Sequence, residues 1–234
     1  MRILAPIGSL VAVFMLLMAA PYISAQAADD DIPTVAVLDF TGLMMGQGGN
    51  SAPLGKAVSS MLITELTDRP GLRVIERYRL QDLLTEQKLA LSGRVDESTA
   101  VQIGKILGAQ YVIHGQVTSI LDQLRMDMRA IDVETSEVIE AQKMTDRTSE
   151  LLSVVVRMAD LFAASLDLEP PSSRVQMEAI PTGATIEFSR GVDFEDKGDT
   201  AKALEHYRNA LKIHPNHRAA KSAIARLEST GEGK

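Results

Sequence analysis

The chain predicts a mixed sheet packed with helices, an α/β (α+β) fold, followed by a small all-α tail. Three observations lead there. Between Val35 and Leu166, short apolar runs alternate with segments whose apolar residues recur at helical spacing. Glu169-Pro170-Pro171-Ser172-Ser173 and then Ile180-Pro181-Thr182-Gly183 interrupt that alternation with residues that resist helix continuation. Beyond them no strand pattern returns. The expected organisation is a signal peptide over 1–27, an α/β domain over 28–167, a Pro-rich linker over 168–183 and a helical tail over 184–234.

Val35-Ala36-Val37-Leu38-Asp39-Phe40 has the composition of a strand. Leu54, Ala57, Val58, Met61, Leu62 and Leu66 form a helical stripe, with Ser51 expected as N-cap and Pro53 where a missing amide proton does no harm. Pro70-Gly71 stops that helix. Leu72 to Arg77 predicts a second strand, and Leu80, Leu83, Leu84 and Leu91 a second helix. Asp96 should cap a third helix running through Ala100, Ile103 and Leu107 to Gly108, the residue best suited to a left-handed stop. Tyr111 to Val117 is apolar on both faces, whereas Leu124, Met126, Met128 and Ala130 alternate with Arg125, Asp127 and Arg129 as a one-sided strand does. Glu134-Thr135-Ser136 turns into another strand near Val138. A helix from about Ser149 to Leu166 closes the core with Leu151, Leu152, Val155, Ala159, Phe162 and Leu166.

The first 27 residues have the plan of an export signal: Arg2, an apolar core from Leu10 to Ala20, and small residues at Ala25 and Ala27. The core is shorter than the ~20 residues of a spanning helix, and Pro21 breaks it. Cleavage after Ala27 is expected, leaving a periplasmic chain held at the outer membrane, if at all, through partners. The formal charge of −7 becomes −8 once this segment, with one Arg and no acid, is gone. No basic cluster is available to neutralise a run of phosphates, which argues against a nucleic-acid partner. The 234 residues include no cysteine, so there is no lipid acceptor, disulfide framework, thiolate metal site or cysteine nucleophile. No later segment is apolar for long enough to span a bilayer as a helix.

In the tail, two helical patterns flank Lys197-Gly198-Asp199. Gly191, Phe194, Gly198, Ala203, Tyr207, Ala210 and Pro215 occupy the small, aromatic and stop positions of a tetratricopeptide (TPR) repeat, whose period is about 34 residues. Gly191 and Ala203 would let two antiparallel helices approach, with Tyr207 filling the space beside them. His217 to Leu227 would supply a capping helix. There is one full copy, and such a repeat cannot bury its apolar face alone.

Residues 34–166 resemble the CsgG family of bacterial curli-assembly proteins, whose periplasmic fold is shared with outer-membrane activators of penicillin-binding proteins and the N-terminal domain of TolB. The resemblance is carried by Val35 to Phe40, Leu54-Gly55, Leu62-Ile63-Thr64-Glu65-Leu66, Val74-Ile75-Glu76-Arg77, Leu83 to Gln87, Leu91-Ser92-Gly93 and Gly108 to Gly115. It implies an envelope protein of secretion or assembly machinery. Pore-forming members of that family carry a lipidated cysteine, long inserted hairpins and an aromatic constriction loop. Here the cysteine is missing, Leu121-Asp122-Gln123 leaves no room for inserted ~10-residue barrel strands, and Gly42 to Asn50 holds no aromatic residue.

No catalytic, cofactor-binding or metal-ligating set is expected. Gly46-Gln47-Gly48-Gly49 lacks both the dinucleotide spacing and the Lys-Ser/Thr of a phosphate loop. His114 reads as a core histidine, while His214 and His217, flanking Pro215 at a helix end, and His206, one helix away, read as solvent-facing groups. Partner contacts are expected at Met44 and Met45, a flexible apolar pair, and at Phe188, Val192, Glu195 and Asp196 on the groove face of the repeat. The leading reading is a non-enzymatic periplasmic adaptor whose partners are envelope proteins. Its rivals are a subunit of an oligomeric curli-like export channel or accessory ring and, with least support, a small-ligand binder using the Gly-rich loop.

Overall fold

The computed structural model describes residues 32–45, 51–75, 96–171 and 179–231. The expected signal peptide, the Gly46-Gln47-Gly48-Gly49 loop, the expected helix over Leu80 to Leu91 and Ser172-Ser173 lie outside the described residues.

β1 (Thr34–Val37), the apolar run expected as a strand, is central: it pairs in parallel with β4 (Arg73–Val74) on one side and with the start of β5 (Tyr111–Ile120) on the other. Further along β5, Thr41 bridges Gln116 and β2 (Met44–Met45) pairs in parallel with Ser119 and Ile120. One edge of β5 is thus shared by β1 and β2. β3 (Ser51–Ala52) lies antiparallel to β2. Along its other edge β5 runs antiparallel to β6 (Gln123–Asp132), and β6 to β7 (Val138–Arg147). The sheet is mixed, as predicted. Each strand from β5 to β7 is ten residues long and lies wholly within it.

Alternation sorts the side chains onto two faces. Val35, Val37, Ile113, Val117, Leu124, Met126, Met128 and Ala130 are buried in one cluster with residues of α1 (Leu54–Thr67) and α3 (Leu151–Ser165). On the opposite face Ala36, Leu38, Val112, Ile131 and Val133 pack with α2 (Glu97–Leu107). Among the described residues the second layer covers only the start of β5, so of the run Tyr111 to Val117, expected to be apolar on both faces, the two-sided packing falls on Tyr111 to Ile113. α2 has the expected ends: the Asp96 carboxylate accepts from the Thr99 N–H at 2.8 Å, and Gly108 adopts φ 67°. Ser51 does not cap α1. It lies in β3, and α1 starts behind Pro53 without a side-chain cap. Buried Ser59 of α1 ties down the chain after β1, accepting from the Phe40 N–H at 2.8 Å and donating to the Leu38 carbonyl at 3.1 Å.

The tail comprises α4 (Thr182–Asp196), α5 (Thr200–Ile213) and α6 (Arg218–Gly231). α4 and α5 form a hairpin around Gly198, and a Cβ on Gly191 would lie 2.5 Å from the Tyr207 ring, so only glycine admits this approach. Both α4 and α6 touch α1. Phe188, Val192, Ala203, Tyr207 and Ala220 share the apolar cluster of the first sheet face. The proline-rich segment therefore marks a change of composition with no parting of the packing, and Pro33–Lys234 is one compact unit.

Candidate functional site

The groove residues expected to meet a partner are occupied by the chain's own side chains. Phe188 is buried against Tyr207 at 5.5 Å and His217 at 4.6 Å between ring centroids, and Val192 is buried beside it. Glu195 accepts from the Tyr207 hydroxyl at 2.7 Å and pairs with Arg226 at 2.8 Å. Asp196 pairs with Lys56 of α1 at 2.6 Å, with Asp193 at 3.6 Å from the same ammonium. As expected partner contacts, Phe188 and Val192 are thus corrected to internal packing, because α6 and α1 close the face of the hairpin. Burial alone would lower the Lys56 pKa, but the hydrogen bond and charge of Asp196, with Asp39 and Asp193, raise it above the ordinary lysine value.

A second set of charges fastens α6 to α1. Arg218 donates to both Glu65 carboxylate oxygens, at 3.0 and 3.1 Å, and also to Asp68. Burial raises the Glu65 pKa, against the lowering influence of Arg218 and Arg69. Arg69 is itself buried and pairs with Asp160 of α3. The sequence reading singled out none of these cations, since isolated Lys and Arg on amphipathic helices carry no periodic signal.

His214 and His217 are buried, not solvent-facing: His217 lies against Phe188 of α4, and His214 stands beside it at 6.2 Å between ring centroids. His206 is half-buried, 2.8 Å from Glu187 and stacked on Phe194 at 5.2 Å. His114 is buried in β5, as expected of a core histidine.

Met44 and Met45 diverge. Met44 is buried on the α1/α3 face of the sheet, a correction to the expectation that both meet a partner, whereas Met45 is 58% exposed. Gly42 makes this possible: its φ of 143° and a place for Cβ only 1.6 Å from the Val117 carbonyl oxygen exclude any side chain where the chain runs onto β5. Beside Met45 stand its register partner Ile120 and then Leu121, whose N–H donates to the Met45 carbonyl at 3.1 Å. Ile120 and Leu121 are 53% and 65% exposed. Sequence reading treated Leu121-Asp122-Gln123 as a plain turn and missed this patch.

Among the described residues, no group of three or more His, Asp or Glu side chains is placed to hold a metal ion, and no helix is long and apolar enough to cross a membrane.

Residues 21–120 match the family model described as curli production assembly/transport component CsgG, a match that ends with the last residue of β5. No curated protein matches the chain. Among solved structures it is similar to the C-terminal domain of LpoB from Salmonella enterica, at 17% identity and TM-score 0.41, over 50% of this chain and 84% of that one. It is similar to TolB from Acinetobacter baumannii at 14% identity and TM-score 0.39, over 58% of this chain and 29% of that one, so it spans less than a third of that TolB. A third likeness is to the PelC dodecamer from Paraburkholderia phytofirmans, at 14% identity and TM-score 0.35, over 59% of this chain and 89% of that one.

Proposed function

We propose that this chain is a non-enzymatic adaptor of the bacterial cell envelope, exported to the periplasm and cleaved after Ala27. The observation that carries the reading is the match of residues 21–120 to a curli assembly/transport family model. The charges of the described structure support it, since Lys56, Arg69, Arg218 and their carboxylates join helix to helix, where catalysis would call for convergence on a cleft. In this reading the α/β part docks on an envelope assembly. The tail, read as one TPR-like repeat capped by α6, uses its own groove to brace that part and offers its outer surface to a second protein. Lacking both a lipid-acceptor cysteine and room for inserted barrel hairpins, the chain does not conduct ions.

Native mass spectrometry of the mature protein tests the adaptor reading. A monomer or dimer is expected. A closed ring of many subunits would replace it with an accessory ring of a curli-like export channel. Planar-bilayer recordings check the second point, and reproducible single-channel steps from purified protein would overturn it.

A further inference from the structure

Four of the seven exposed large apolar side chains among the described residues, Leu43, Met45, Ile120 and Leu121, stand together at one end of the sheet. Met44 and Ser119 are register partners buried on the α1/α3 face, so Met45 and Ile120 belong to the opposite face, the one that α2 covers only near Val112 and Ile131. The register continues this row across the sheet from Met45 through Ile120 and Gln123 to Arg147. The same face then carries Arg125, Lys143 beside Asp127, and Arg129.

These cations are exposed, Arg125 at 52% and Arg129 at 56% of the side chain. Arg125 pairs with Asp127 and Arg129 with Glu97, but no carboxylate among the described residues lies within ion-pair distance of Lys143 or Arg147. The carboxylates whose charge reaches these two cations are Asp127 for Lys143 and Asp146, itself paired with Arg157, for Arg147. In a chain whose formal charge is −7, this face is locally basic next to an apolar rim.

We infer that this open half of the sheet face is a docking surface for an acidic amphipathic helix of a partner protein. The face already takes a helix by this chemistry: α2 sets Ala100, Val101 and Ile103 on Val112 and Ile131 and reaches Arg129 with Glu97. A second helix beside it would set apolar residues on Met45, Ile120 and Leu121 and carboxylates on Lys143 and Arg147. Leu121 adds a separate observation. It holds a left-handed φ of 55°, which disfavours leucine and suits asparagine or glycine, so an apolar side chain sits at the tip at the expense of local stability.

The inference deepens the adaptor reading and rests on it in taking the occupant to be a protein. Its test does not depend on native mass or location. The mature protein is titrated into a fluorescein-labelled 18-residue helix of leucine and glutamate at i, i+3, i+4 spacing, into the same helix with lysine for glutamate, and against phosphatidylglycerol vesicles. Saturable binding of the acidic helix is expected, weakened at least about tenfold by Lys143→Glu with Arg147→Glu and by added salt. Leu121→Asn should weaken binding several-fold while its thermal midpoint stays at or above that of the parent, which separates contact from folding. Ile213→Ser, at an exposed site in the tail, should change nothing. Absence of saturable binding to about 1 mM helix, equal binding of the lysine helix, an unaffected Leu121→Asn variant, or binding to the vesicles alone would each overturn the inference.

Discussion

His217 lies against Phe188 with its Nε2 buried and without a hydrogen-bond partner, and burial together with the nearby His214 lowers its pKa to about 4. The folded-state value is below the ordinary 6.5 of the unfolded chain, so the unfolded state binds the proton first as pH falls. Stability from this residue is complete above about pH 6.5 and declines towards pH 4, with a loss of about 2 kcal/mol between pH 7.5 and pH 5. Glu65, whose pKa is raised by burial, works in the opposite sense. Its contribution is present at low pH and declines as pH rises through its folded pKa. Urea unfolding at both pH values checks the balance, and His217→Phe should flatten the decline while keeping a ring on Phe188. Ala203, fully buried where α5 meets α4, gives a second test. Ala203→Leu forces extra methylenes into a filled contact and should cost about 1–3 kcal/mol in thermal unfolding. Histidines at a helix end look solvated in sequence. His217 is buried against Phe188 of α4, a contact between distant stretches that local spacing does not encode.

Between elements, the join of the tail to α1 is electrostatic at its edges and apolar at its centre. Lys56→Met should loosen α4 from α1 by about 1 kcal/mol, a figure kept small because Lys56 is about a third exposed. Hydrogen exchange in α4 should rise with it and rise further with salt in the parent protein. Much of this level was legible beforehand. The stripes on α1 and α3, the Asp96 and Gly108 ends of α2, and the Gly191–Tyr207 approach follow from 3.6-residue periodicity and from glycine's small volume. The basic sheet face was not, because Arg125, Arg129, Lys143 and Arg147 are spread over two strands and converge only through the antiparallel register. The groove of the hairpin misled for a related reason. Phe188 and Val192 have the pattern of a binding face, and nothing in their spacing announces that α1 and α6 fill it.

At the scale of the whole chain, the shared apolar cluster and the Lys56 and Arg218 pairs bear on the proposed boundary at 168–183. Composition places a linker there, and a protease should cut within it. The two pieces are expected to co-elute after cutting and to separate only in denaturant, since cutting the linker removes no packed side chain from the cluster. Fragments that part at once in native buffer would show that the tail braces nothing. The central claim is an exported envelope protein, and N-terminal sequencing of fractionated cells tests it most directly. The account predicts a chain beginning at Ala28 in the osmotic-shock fluid. An intact Met1 terminus in the cytoplasm or the membrane pellet would contradict it.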